Sequence, residues 1–316
     1  MTSRTLPLLA LLACTACVES QPTTRAPERQ SGSPEVARAS VPVAAAVDES
    51  EWWTGDKPCP DGAELKGAAP PRGNAVSCEQ GGQVHGTKTT FHPNGQRARS
   101  ERYYRGRLEG HFTVWHDNGA VAEEGRFHNG LLEGHWVSRH PNGSRAAEGE
   151  YRSGKESGAF LKFTEAGARI EEVAFREGKR HGIARTFHEG GQVRDEVEYL
   201  GGKRHGMART YYASGAKRTE GKYADDEQVG VWRSFRESGG RLEDIHFVAG
   251  KKDGPTARWQ ASGAKELEGS YKADKKDGEF RYYGEEGELS KTEEYRAGRL
   301  VRTKHHASKS KPVARR

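Results

Sequence analysis

Long hydrophobic runs are missing from this 316-residue chain. Its most apolar stretch, Leu6 to Ala13, falls well short of the ~20 residues a helix needs to cross a bilayer. Hydrophobic residues make up only 33%, and the mean hydropathy is −0.94. A large aliphatic core is therefore excluded. Cysteine is scarce as well. Beyond Cys14 and Cys17 there are only Cys59 and Cys78, with no second pair to complete a four-cysteine zinc site. The chain has no Gly-x-Ser-x-Gly elbow, no His-Glu-x-x-His helix and no phosphate loop. With 30% charged residues such a composition would suit a disordered chain.

What is present rules that out for most of the length. Glycine returns every 24 residues from Gly86 and Gly110 to Gly278, and again from Gly95 and Gly119 to Gly287. A third column is always aromatic: Tyr103, Phe127, Tyr151, Phe175, Tyr199, Tyr223, Phe247, Tyr271 and Tyr295. Nine units keep this spacing without insertion or deletion, so residues 81–301 form a tandem array. The fold class expected is all-β: 24-residue β-hairpins forming one elongated twisted antiparallel sheet. Two strands per unit at ~4.8 Å each give ~90 Å for the whole array.

Asn118-Gly119, with Asn94-Gly95 and Asn142-Gly143, lies between short extended runs and predicts a two-residue hairpin turn. A second glycine-rich turn, at Gly106, Gly130 and their equivalents, links one hairpin to the next, with Asp226 and Asp274 filling two of its slots. The Asn118-Gly119 turn sets a register that can be checked. It places Thr113 opposite Glu124, Arg185 opposite Glu196, Arg209 opposite Glu220 and Arg233 opposite Asp244. It also lays Phe112 over Gly125 and Trp136 over Gly149. A second aromatic column (Phe91, Trp115, Phe163, Phe187, Tyr211, Phe235, Trp259, Tyr283) is broken only by Arg139. Simple alternation sets it on the opposite face, unless a bulge turns it round.

The ends differ from the array. Residues 1–16 have a short positive region at Arg4, an apolar run, and Ala16 before Cys17. This segment resembles a bacterial lipoprotein signal, with Cys17 as the lipidated residue and Cys14 as the alternative. Lipidation at Cys17 leaves Cys59 and Cys78 as an even pair. The absence of Asp after the anchor implies, by that resemblance, the outer membrane of a Gram-negative envelope. Residues 17–50 read as a Pro/Ala-rich disordered tether. Residues 51–80 read as a cap closed by a Cys59–Cys78 disulfide. Residues 302–316 hold Arg302, Lys304, Lys309, Lys311, Arg315 and Arg316 without an acid and read as a disordered basic tail. Those cations equal the whole formal charge of +6.

Glu109-Gly110-His111-Phe112, Trp115, Asn118-Gly119, Phe127 and Gly130 carry a pattern that resembles the MORN-repeat variant of bacteria, part of which bears an antitoxin label. The resemblance covers 81–301 and implies a scaffold or binding platform with varied partners. No cofactor and no enzymatic activity are expected. The regularly spaced acids at Glu124, Glu148, Glu172, Glu196, Glu220, Asp244 and Glu268 lack the asymmetry a carboxylate pair needs. His181 and His205, in equivalent places ~10 Å apart, do not converge as metal ligands. The candidate binding surface is a basic edge at the linking turns: Lys179, Arg180, Lys203, Arg204, Lys251, Lys252, Lys275 and Lys276. Lysine also suits exposed turns and blunts sheet edges. The function expected is a membrane-anchored, non-enzymatic envelope lipoprotein that binds or scaffolds a protein or envelope glycan, and not nucleic acid. A wall or lipopolysaccharide glycan-binding module and a cytoplasmic antitoxin-like binder are the alternatives.

Overall fold

The computed structural model describes residues 51–307. The signal, the tether and the anchor candidates Cys14 and Cys17 lie outside the described residues. After a single helical turn at Trp52–Thr54, every element is a strand. Twenty-three strand segments form one open antiparallel sheet in which neighbours in sequence are neighbours in space. The first six are β1 (Glu64–Ala68), β2 (Ala75–Gln80), β3 (Gln83–Phe91), β4 (Arg97–Tyr104), β5 (Arg107–Trp115) and β6 (Val121–His128). The last, Arg299–His305, runs past the boundary expected at 301, because Glu294, Glu293 and Thr292 still supply partners for Arg302, Thr303 and Lys304.

The register expected from the hairpins is the register observed. Thr113 faces Glu124 and Phe112 faces Gly125; Trp136 faces Gly149; Arg185 faces Glu196. The turn that produces it differs from expectation. At Asn118-Gly119 only Gly119 has positive φ, +84°. Gly119 N–H donates to His116 O at 3.0 Å and His116 N–H to Ala120 O at 2.9 Å. This is a three-residue loop with a glycine bulge, which shifts Trp115 onto Val121. The two-residue turns are the linking ones. Arg105 and Gly106, then Asn129 and Gly130, are both left-handed (φ 49°, 78°, 51° and 82°), as a tight turn between right-twisted strands requires. Asn tolerates that region, so its dipeptide signal fitted both sites.

Glycine of the first column sits inside a strand. Gly110 has φ +100° and stands where β5 slips by two residues against β4, from Tyr103 opposite Leu108 to Glu101 opposite Phe112. Any Cβ there would be strained, and the bulge bends each unit in the same place. This bulge recurs once per unit, in addition to the one at the loop, and keeps the bend periodic.

Along β5, Phe112 and Trp115 are an odd number of places apart and point to opposite faces. The aromatic face carries the always-aromatic column together with Phe112, Trp136, Phe160, Trp232 and Phe280. Their rings touch at centroid separations of 4.8 Å (Phe112–Phe127), 5.4 Å (Tyr151–Phe160), 5.2 Å (Phe160–Phe175) and 5.4 Å (Phe280–Tyr295). The other face carries the Phe91–Tyr283 column and the ion-pair series of Arg185, Arg209 and Arg233, while Arg99–Glu101, Arg180–Glu171 and Lys291–Glu293 lie on the aromatic face. The core is one side chain thick, with Phe112 and Phe280 only 3% and 0% exposed.

Volume along the aromatic face is conserved by exchange between neighbouring rungs. Gly149 lies between Trp136 and Phe160 and Gly269 beside Phe280, and a Cβ on either glycine would overlap the phenylalanine ring. The exchange holds between a residue and the rung that follows it: Gly221 lies against Trp232, whereas Val173 precedes Ala184, Val197 precedes Ala208 and Ile245 precedes Thr256. A bulky knob needs a hole beside it, and a small residue leaves room for a branched one.

Candidate binding surface

At the first end, Trp52 and Trp53 fold onto the charged face. Trp52 Nε1–H donates to Thr89 Oγ1 at 2.9 Å, and Trp53 meets Phe91 edge-on at 5.5 Å. Cys59 and Cys78 are disulfide-bonded, which ties the segment before β1 to β2. This is the cap that an open array needs.

The eight cations expected as one basic edge fall into two groups. Lys179, Lys203, Lys251 and Lys275 open their strands at the linking turns and are exposed. Arg180, Arg204, Lys252 and Lys276 fold back over the aromatic face. Arg180 lies 5.4 Å from the Tyr199 ring centre, Arg204 4.1 Å from Tyr223, Lys252 5.3 Å from Tyr271 and Lys276 4.6 Å from Tyr295. Each also sits opposite the preceding aromatic in the ladder, as Arg204 does to Tyr199. Cation and ring thus alternate from unit to unit, each stack contributing ~0.5–1 kcal/mol. Glu227-Gln228 interrupts the series between Arg204 and Lys251, and Asp253 and Asp277 lie beside the later pairs. The continuous basic edge resolves into two basic patches with an aromatic backing.

On the charged face the acids form a ladder. Glu196 takes Arg185 at 2.9 Å and Arg209 at 3.0 Å. Arg209 thus bonds the acid on its other side rather than Glu220, the partner expected from the hairpin. Glu220 is held instead by Lys217 at 2.7 Å. Arg233 reaches Asp244 at 3.7 Å. Arg139 replaces an aromatic and bonds Glu124 at 2.7 Å, supplying the cation that Thr113 and Val137 cannot. Lys265, Tyr283 and Arg281 hold the Glu268 carboxyl down at about 2. The arginine column breaks at Ala257, where a hollow of about 560 Å³ opens beside Trp259, Asp244, Glu268 and Arg281. There the Asp244 Oδ1 has no hydrogen-bond partner, and burial pushes its carboxyl up.

A further column escaped the reading of the sequence. His92, His116, His140 and His188 donate Nε2–H to the backbone oxygens of Trp115, Arg139, Phe163 and Tyr211 at 2.9–3.0 Å. A carbonyl only accepts, which fixes the proton on Nε2. Tyr212, Arg236 and Gln260 do the same with Phe235, Trp259 and Gly284 at 2.8, 2.6 and 2.8 Å. Asn94, Asn118 and Asn142 add bonds to the next loop's Asp117, Pro141 and Glu165 oxygens. The loops are stapled unit to unit. The signal was a long polar donor in the slot just after the second aromatic column. Among the described residues no three His, Cys, Asp or Glu side chains group as metal ligands.

Fold and surface together define a tandem-hairpin repeat protein whose side chains are used mainly between neighbours. Residues 108–129 and 180–200 match the MORN repeat variant family. No curated protein matches the chain. Among solved structures, the crystal structure of TcdB2-TccC3 is similar over 74% of this chain at 12% identity, with a TM-score of 0.19. The Photorhabdus luminescens Tc holotoxin pore is similar over 73% at 12% identity, with a TM-score of 0.18. This chain spans 17% and 16% of the lengths of those two chains.

Proposed function

We propose that this protein is a non-enzymatic binding or scaffolding protein of the cell envelope, anchored by lipid at Cys17. On this reading residues 17–50 hold the array away from the outer membrane, and the partner is a protein. The observation that carries the reading is the use of side chains. Aromatics, acids and most cations are engaged from one unit to the next, and the surface left over is periodic and extended. The exposed Lys179, Lys203, Lys251 and Lys275 stand out from it. Extended surfaces of this kind suit a partner gripped at several units in register.

Glycan recognition fits the geometry less well, since a sugar stacks on a free ring face. Tyr199, Tyr223, Tyr271 and Tyr295 each have a cation over the ring. The antitoxin-like alternative needs a cytoplasmic chain that keeps Met1.

Two experiments test the proposal. Mass spectrometry of the N-terminus after membrane fractionation is expected to find a diacylglyceryl or triacylated Cys17. An unmodified chain beginning at Met1 in the soluble fraction refutes the envelope location. A photo-crosslinking residue at Lys203 is expected to give a protein adduct in cells that Lys179→Glu/Lys251→Glu/Lys275→Glu abolishes. Retention on purified sacculus with no protein adduct would instead establish the glycan reading.

A further inference from the structure

A sheet that does not close ends in two free edges, each with a row of unused backbone donors and acceptors. The two edges here are built differently. At the first, β1 is five residues long and is interrupted by Gly67 at φ +79°. Its charges are matched internally, Lys66 bonding Glu64 at 2.7 Å.

The last edge is longer, and a one-residue bulge at Val301 turns Leu300 and Arg302 to opposite faces, Leu300 facing Tyr295 and Arg302 facing Glu294. All seven residues of Arg299–His305 are exposed, with Leu300 at 53% and Val301 at 51%. One side of this strand pairs with Leu289–Arg296, and the other has no partner among the described residues. Its end is pinned, because His306 N–H donates to Ser290 O at 2.9 Å and the His306 ring bonds Thr292 at 2.9 Å. The edge is therefore preformed. Arg299, Arg302 and Lys304 make no ion pair among the described residues, although arginines elsewhere in the sheet are mostly paired.

Charge selects the occupant. Residues 308–316 lie outside the described residues and add Lys309, Lys311, Arg315 and Arg316 without an acid, so as an added strand they would set cation against cation. Two copies pairing edge to edge about Arg302 would set cation against cation, which destabilises a strand pair. β1 and Arg299–His305 run in the same direction, so copies stacked in line would meet as parallel strands, whereas every pair in this sheet is antiparallel. An acidic strand meets none of these objections.

We infer that the Arg299–His305 edge accepts an acidic extended segment of a partner protein as an added strand. The inference rests on the reading of the chain as a protein-binding array. Backbone hydrogen bonds supply the docking, and acids on alternate positions meet Arg302 and Lys304. Side chains between those acids pack on Leu300.

The test uses the full chain and a fluorescent seven-residue peptide alternating Glu with Val. Fluorescence anisotropy is expected to show saturable binding. Arg302→Glu/Lys304→Glu should weaken it at least tenfold and favour the peptide with Lys in place of Glu. N-methylation of alternate peptide amides, which preserves charge, should also weaken it at least tenfold. An unchanged melting temperature shows that the variant is folded. No binding of the acidic peptide, or equal binding after N-methylation, overturns the inference. A chain that still forms the Lys203 crosslink while ignoring the peptide keeps the binding function and loses only this edge.

Discussion

Gly269 and Phe280 give the sharpest test of how the aromatic face is packed. A Cβ on Gly269 would stand 2.6 Å from the Phe280 ring, a separation that real side chains do not adopt. Gly269→Val should therefore destabilise by ~1–3 kcal/mol through overpacking. Phe280 is 0% exposed, so Phe280→Ala should cost ~3–5 kcal/mol. Independent effects would sum to ~4–8 kcal/mol. The structure says they are not independent, because the double variant sets a valine between Thr256 and an alanine, close to a combination already present, Val197 flanked by Ala184 and Ala208. Its cost should fall ~1–3 kcal/mol below the sum. Hydrogen exchange of the strands Lys265–Lys272 and Gly278–Tyr283 reads this locally, since an array need not unfold in one step. Additivity within ~0.5 kcal/mol would refute the exchange of volume between rungs.

Ala257→Arg should restore the arginine column between Asp244 and Glu268 and stabilise the array by ~0.2–1 kcal/mol per pair, read as a raised melting temperature. His140→Ala removes the bond to Phe163 O and should cost ~0.5–1.5 kcal/mol, with faster exchange confined to the two loops it joins. Acid should loosen the C-terminal units. Lys291 and the Tyr282 and Tyr295 hydroxyls hold the Glu293 carboxyl at about 2, and Glu268 is also at about 2. A depressed folded pKa gives stability that is complete above the unfolded value of ~4.3 and is lost as pH falls towards 2. Melting temperature should therefore drop between pH 5 and pH 2, and Glu268→Gln/Glu293→Gln should flatten that drop.

Much of the architecture was legible because each unit tests the same rule again. A 24-residue glycine spacing, an invariant aromatic and paired charges left one register, and Phe112 over Gly125 confirms it. Other features were hidden because they join units rather than lie within one. The staples from His92, His116, His140 and His188 span 23 residues and depend on how a bulged loop leans on its neighbour. Asn118-Gly119 suggested the tight turn, yet Asn129-Gly130 carries the same dipeptide and is the tight one. Two residues cannot state which loop length the flanking bulge will demand.

The sequence by itself determined the all-β array, its register and the Cys59–Cys78 pairing, because covalent spacing and side-chain alternation repeat unit after unit. Only the tertiary structure decided that Arg204 and Lys276 stack on rings while Lys203 and Lys275 stay exposed, and that Arg209 chooses Glu196 over Glu220. Those outcomes depend on the tilt between rungs. A bulge of one residue changes which of two equally spaced partners a long side chain reaches.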